Sequence, residues 1–162
     1  MDESLSYSFL LEGEEQKTCD LVLRVFDEFV APYYSEEGIN EFKSYITPEL
    51  LAKRSKANHI VLIAKQSSKI VGMIEMRDNH HISLFFVSTE LQTRGIGKKL
   101  FLNALAHCRK NIPSLTQLDV HSSPNAVSIY ESLGFQQNGE KQIKNGICFI
   151  PMLLKLADSQ CG

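Results

Sequence analysis

Val87-Ser88-Thr89-Glu90-Leu91-Gln92-Thr93-Arg94-Gly95-Ile96-Gly97-Lys98-Lys99-Leu100 joins two segments of different period. Before it, His81-Ile82-Ser83-Leu84-Phe85-Phe86-Val87 reads as a strand. After it, Ile96, Leu100, Ala104 and Cys108 recur at helical spacing, and the helix runs from about Gly95 to Lys110. Gly95 and Gly97 let the backbone turn sharply and leave its N–H groups uncovered. At a helix N-terminus those groups have no intrahelical acceptor, and the helix dipole adds partial positive charge. Gln92, Thr93, Arg94, Gly95, Ile96 and Gly97 therefore make an anion site suited to a pyrophosphate. Lys98 and Lys99 oppose the dipole, by about 0.3–1 kcal/mol each when exposed, and a bound anion gives them a reason to be there. An ordinary helix start with two glycines fits the spacing equally well. A Walker A loop is excluded because G-x-x-x-x-G-K-[ST] is absent, and a Rossmann turn because position 100 is Leu, not Gly.

Upstream, Ile60-Val61-Leu62-Ile63-Ala64 and Ile70-Val71-Gly72-Met73-Ile74-Glu75-Met76 are strands separated by the turn Gln66-Ser67-Ser68-Lys69. Asp78-Asn79 turns into the strand that ends at Val87, so residues 60–87 form an antiparallel meander. Residues 6–11 read as a first strand. Leu21, Val22, Val25, Phe26 and Phe29 share one face of a helix that stops before Pro32. Ile39, Phe42, Tyr45 and Ile46 continue at helical spacing, and Thr47-Pro48 supplies an N-cap and first-turn proline for a helix to about Lys56.

Downstream, residues 115–121 are a strand and 123–133 a helix, with Ser123 as N-cap, Pro124 at its first position and Gly134 as its stop. Phe135 starts another strand, and residues 147–156 make the last. Strand, helix and strand across residues 82–121 require a crossover, hence parallel neighbours. There is no internal repeat and no linker, so residues 1–162 are expected to form one mixed α/β domain with a frayed tail at 157–162.

Composition limits the function. The chain of 162 residues is 43% apolar and 22% charged, with a formal net charge of -2. That argues against nonspecific nucleic-acid binding, which needs a basic excess or stripe. No apolar run approaches the roughly 20 residues of a membrane span, and the acidic start Met1-Asp2-Glu3-Ser4 does not read as a secretion signal. Cys19, Cys108, Cys148 and Cys161 are scattered without a C-x-x-C pair, which disfavours a disulfide framework or a metal site. The expectation is a cytoplasmic, reduced, metal-free protein.

Residues 87–100 resemble the acetyl-CoA-binding motif of the GNAT superfamily of N-acetyltransferases, Q/R-x-x-G-x-G/A, with Gln92, Gly95 and Gly97 in register. Ala126-Val127-Ser128-Ile129-Tyr130-Glu131-Ser132-Leu133-Gly134-Phe135 resembles the second motif of that family, A-x-x-x-Y-x-x-x-G-F. Two motifs in the right order and separation are far more specific than either alone, and the resemblance covers about residues 59–155. One position departs: the family often has Asn three residues before the motif alanine, where this chain has Ser123, with Asn125 next to Ala126.

The resemblance implies a mixed, mostly antiparallel twisted sheet of six to seven strands with about four flanking helices. Two central parallel strands would splay apart and accept the pantetheine arm of acetyl-CoA like an added strand. Phe85, Phe86 and Val87 would offer the backbone groups, one N–H polarising the thioester carbonyl, and Ser123 would be a further candidate contact. Tyr130 would protonate the leaving thiolate. For the base, Glu75 is a carboxylate in an apolar strand, where its pKa would rise, with pairing to Arg77 across solvent as the alternative. His81 already has a suitable pKa, and His121 is a third option. Tyr33 and Tyr34, with Glu36 and Glu37, suit a cationic amine, although Glu36 and Glu37 after Ser35 also suit a plain helix start. The implied function is acetyl transfer from acetyl-CoA to a primary amine of a small molecule or peptide, with homodimerisation as an option. A non-catalytic acyl-CoA-binding module is the alternative.

Overall fold

In the computed structural model, which describes residues 4–92 and 94–157, the chain runs β1 (Leu5–Phe9), α1 (Glu15–Phe29), α2 (Glu36–Tyr45), α3 (Pro48–Ser55), β2 (His59–Gln66), β3 (Lys69–Arg77), β4 (His81–Val87), α4 (Ile96–Asn111), β5 (Gln117–Ser122), α5 (Val127–Ser132), β6 (Gln136–Gln137), β7 (Gln142–Lys144) and β8 (Ile147–Lys155). The described residues thus hold eight strands and five α-helices, one of each more than the upper expectation. Thr93 and the tail beyond 157 lie outside the described residues, as does Cys161.

The strands form a sheet in the order β1-β2-β3-β4-β5-β8-β6, with β7 on β8. Every pairing is antiparallel except β4 with β5. The expected meander is present, its β3–β4 turn a three-residue connection, 78–80, with Asp78 and Asn79 at positive φ. The expected Thr47 cap holds, and Ser35 caps α2 in the same way. The Ser35 hydroxyl accepts from the Gly38 amide at 3.2 Å, and Thr47 from the Leu50 amide at 3.2 Å.

Each face of the sheet buries its own cluster. On one, α4 packs Ile96, Leu100, Phe101, Ala104 and Cys108 against Leu62, Ile74, Met76, Ile82, Leu118, Val120 and Met152. On the other, α1 and α3 pack Leu21, Val22, Val25 and Leu51 against Val61, Ile63, Met73 and Leu84, with Phe42 and Tyr45 of α2 at the margin. Gly72 lets α4 sit close: a Cβ there would lie 3.0 Å from Leu100 Cδ1 and 3.3 Å from Ile96 Cγ2. The start of α2 rests on the β7–β8 turn, where Asn145 and Gly146 both have positive φ. The Ser35 amide donates to the Gly146 carbonyl, and a Cβ on Gly38 would collide with the backbone of Gly146 and Ile147. Among the described residues, no helix is long and apolar enough to cross a membrane.

Candidate active site

The sheet forks at its centre. β4 pairs with β5 only through His81 with Asp119 and Ile82 with Val120, yet β4 runs on to Val87 and β5 to Ser122. A bulge helps turn β4 away. Its register with β3 passes from Met76 opposite Ile82 to Glu75 opposite Leu84, leaving Ser83 as the extra residue. The edge of β4 beyond Ile82 therefore faces away from β5, with main-chain groups available to an extended ligand. Phe85, Phe86 and Val87, expected to line this edge, are there and half-buried. Their side chains divide between the faces: Phe85 lies toward Gly97 and Tyr130, and Phe86 lies near Phe42 at 6.1 Å between ring centres. The Val87 carbonyl is already taken by Gln92, whose Nε2 donates to it at 3.1 Å. Gln92 thereby ties the turn to the end of β4.

The turn itself follows the reading of its glycines. Gly95 caps α4 in the left-handed conformation, φ 78°, where a side chain would be strained. The Lys99 amide closes the first helical bond, on the Gly95 carbonyl at 3.1 Å. The Ile96, Gly97 and Lys98 amides before it stand at the open end of an α-helix. Gly97 faces Phe85 and Val87 of β4, each 3.5 Å from where its Cβ would be, so the helix start opens beside the forked strand. Arg94 and Lys98 are exposed. Lys99 corrects the expectation of a lysine pair on the anion, because its Nζ lies 5.0 Å from the centre of the Tyr7 ring, toward β1.

Tyr130 lies on the α4 side of the fork, its ring 6.1 Å from Phe85 and edge-on to Phe135 at 5.5 Å. Burial pushes its hydroxyl well above the ordinary phenol range, so it stays protonated at physiological pH. Before it, the expected helix 123–133 is a 3₁₀ turn, Pro124–Ala126, followed by the short α5. Ser123 has the extended conformation of a cap, but its side chain makes no capping bond, which corrects the expected role. In the same turn Asn125 Oδ1 is buried and, among the described residues, has no hydrogen-bond partner. An orphaned acceptor costs free energy unless something meets it.

On the other face, two histidines and an aspartate gather where the fork begins. Asp119 Oδ2 lies 2.7 Å from His81 Nδ1, and Oδ1 lies 2.9 Å from His80 Nδ1. Burial would raise the Asp119 carboxyl, but the bonds from His81 and His80 outweigh it and hold it at about 2. His121, the first β5 residue past the last parallel pair, meets His81 edge-on at 5.2 Å and stacks on Phe149 at 4.3 Å. Burial and the neighbouring His81 lower its pKa below the ordinary histidine value. No group of three or more His, Cys, Asp or Glu among the described residues is placed to hold a metal ion.

Glu75 is where the sequence misled most. It neither pairs with Arg77 across solvent nor stands in apolar surroundings. Its side chain is fully buried and gripped by Arg54, with Nε 2.7 Å from Oε2 and Nη2 3.2 Å from Oε1. His59 Nδ1 lies a further 2.5 Å from Oε2, without the alignment of a hydrogen bond. Arg54 also stacks on the Tyr45 ring at 3.7 Å. Arg54 carried no functional signal, because its partner is 21 residues away in sequence. Tyr33 and Tyr34 fall at and just after a 3₁₀ turn that follows α1. Tyr33 is exposed, whereas Tyr34 packs edge-on against Phe26 at 5.4 Å.

Comparison with known proteins agrees with this architecture. The sequence model of one family, described as acetyltransferase (GNAT) domain, matches residues 30–156. Among solved structures, a GCN5-related N-acetyltransferase from Rhodopseudomonas palustris superposes with a TM-score of 0.79 at 20% identity, covering 96% of this chain and 98% of that one. The PaiA N-acetyltransferase from Thermoplasma acidophilum, in complex with coenzyme A, superposes at 0.77 with 22% identity, covering 94% and 99%. The ribosomal-protein-S18-alanine N-acetyltransferase from Escherichia coli superposes at 0.67 with 14% identity, covering 95% of each chain. At these identities the likeness is one of fold.

Proposed function

Because this chain belongs to the GNAT acetyltransferase domain family, and so to acyl-CoA-dependent acetyltransferases, we propose that it moves an acetyl group from acetyl-CoA to a primary amine of a small molecule or peptide. The transfer is direct, within a ternary complex. The observation that carries it is the two-pair contact between β4 and β5 beside the open start of α4. The fork takes the pantetheine arm along β4, and the helix start takes the pyrophosphate.

Several groups fit that ligand. Gln92 holds the turn, and the Gly95, Ile96 and Gly97 amides face the anion with Arg94 and Lys98 beside them. Phe85 and Phe86 offer main-chain groups at the fork, and one such N–H polarises the thioester carbonyl. The Asn125 Oδ1 orphan suits an amide N–H of the pantetheine arm, so we assign to Asn125 the contact that the family motif would put at Ser123. Tyr130, protonated and buried, gives its proton to the leaving sulfur. Glu75 we assign to structure, since both its oxygens are held. Tyr33 and Tyr34 flank the acceptor side, where aromatic faces suit an amine. Free, buried Cys19, Cys108 and Cys148 suit a reducing, cytoplasmic setting.

Release of free thiol from acetyl-CoA, followed with polyamines, amino acids, small amines and peptides, tests the proposal. Turnover with at least one amine class is expected. Silence across all classes, with coenzyme A binding intact by calorimetry, would leave a cofactor-binding module instead.

A further inference from the structure

We propose that His121 is the group that takes the proton from the acceptor nitrogen, with His81 and Asp119 positioning it; this rests on the acetyl-transfer reading above. His121 is on β5 one residue beyond the last rung shared with β4, so it stands where the fork opens. Along β5, Leu118, Val120 and Ser122 are buried, and Leu118 and Val120 face the α4 core. Asp119 and His121 therefore point to the opposite face. Tyr130 belongs to the α4 cluster. Acid and base thus lie on opposite faces of the sheet with the fork between them. An amine approaching a thioester in the fork from the α2 side meets His121, while the sulfur lies toward Tyr130.

The ring is held rather than free. Phe149 of β8 stacks on it at 4.3 Å and His81 of β4 meets its edge at 5.2 Å. His81 is itself fixed through Nδ1 by Asp119. Unlike His81, which is buried, His121 is exposed and can pass a proton to solvent. The charged and titratable groups acting on it come from four strands: Asp119 on β5, His81 on β4, Arg77 on β3 and Lys144 on β7, and His80 reaches it only through the shared Asp119.

The neutral amine nitrogen forms a bond to the acetyl carbon with its lone pair, and the carbon–sulfur bond breaks with its pair going to sulfur. Bond formation makes the nitrogen acidic, so a base with a pKa below that of ordinary histidine suffices to remove its N–H proton. His121 takes that proton and releases it to water. The sulfur takes the Tyr130 proton, and water restores the phenol. A free alkylammonium, pKa ~10.4, must lose its extra proton before this, so that loss is a separate limb of the pH profile.

The test is the pH dependence of kcat/KM for acetyl transfer to an alkyl amine. In the wild type, log kcat/KM rises one unit per pH unit because the amine must be neutral, and the slope steepens to two below the His121 pKa. His121→Gln should lower the rate at pH 8 by about a hundredfold or more and abolish the steepening, with coenzyme A affinity unchanged. His81→Gln removes a neighbour that lowers the His121 pKa, so the break should persist and move to higher pH. An NMR titration of the His121 ring should show the same upward move in His81→Gln, independently of turnover. If His121→Gln keeps both the break and the rate within a few-fold, the assignment falls. If His81→Gln abolishes the break instead of moving it, His81 is the base. A wild type that binds coenzyme A but acetylates no amine would sink the parent reading and this role together, an outcome distinct from either variant result.

Discussion

A phenol releases its proton readily only when the anion left behind is solvated or paired, and burial at Tyr130 provides neither. What it can do is stay protonated and donate to a thiolate formed next to it, because the burial that disfavours the phenolate disfavours the thiolate as well. Tyr130→Phe keeps the ring among Phe85 and Phe135 and removes the proton. Turnover should fall at least about tenfold while coenzyme A affinity by calorimetry stays within about twofold, ~0.4 kcal/mol; unchanged turnover would remove Tyr130 from the chemistry. Glu75 makes the opposite prediction. Glu75→Gln leaves the Arg54 guanidinium, nearly enclosed, without its counter-charge, so urea unfolding should show a loss of about 3 kcal/mol. If instead stability holds and only turnover falls, Glu75 is a base after all.

Elements place these residues, and α4 is the one whose seat decides most. Gly72→Ala puts a methyl group against Leu100 and Ile96, which should cost about 1–3 kcal/mol of stability and weaken coenzyme A binding by displacing the helix start. Gly97→Ala meets only ordinary contacts and gains up to ~1 kcal/mol of helix propensity. Its melting temperature should hold or rise while coenzyme A affinity falls about tenfold, ~1.4 kcal/mol, because the new methyl group occupies the approach to the amides. Unchanged coenzyme A affinity in Gly97→Ala would mean that the turn binds nothing. The turn was legible in the sequence because its signals are local, with glycines, a strand end and a helix face within about fifteen residues, whereas Tyr130 was singled out by its place in the second family motif. The Glu75–Arg54 grip and the His121 setting were not, since both depend on strand and helix register between distant segments. Strand β7 was readable and missed: Lys144-Asn145-Gly146-Ile147 carries the Asn-Gly signal of a two-residue hairpin.

At the scale of the molecule, the fork is also a place where acid acts. The Asp119 carboxyl is held at about 2 against an ordinary 3.8. A carboxylate lowered by folding contributes stability above its unfolded pKa and loses it as the pH falls through the folded one. Wild type should therefore exceed Asp119→Asn in urea midpoint at about pH 5, with the gap closing toward about pH 2. A gap that stays constant over that range would mean the two histidines give Asp119 nothing; because its side chain is one-third exposed, solvent screening keeps the gap modest. The contact between Gly38 and Gly146 has a genetic consequence. What forbids a side chain at either position includes the main chain of the other: the Gly146 and Ile147 backbone on one side, the Gly38 backbone on the other. A second-site change of side chain cannot relieve a clash with main chain. In a library of variants the two codons should therefore behave as one locus, intolerant singly and not rescued in combination, and suppressors should arise only as insertions or deletions that change the length of the hairpin.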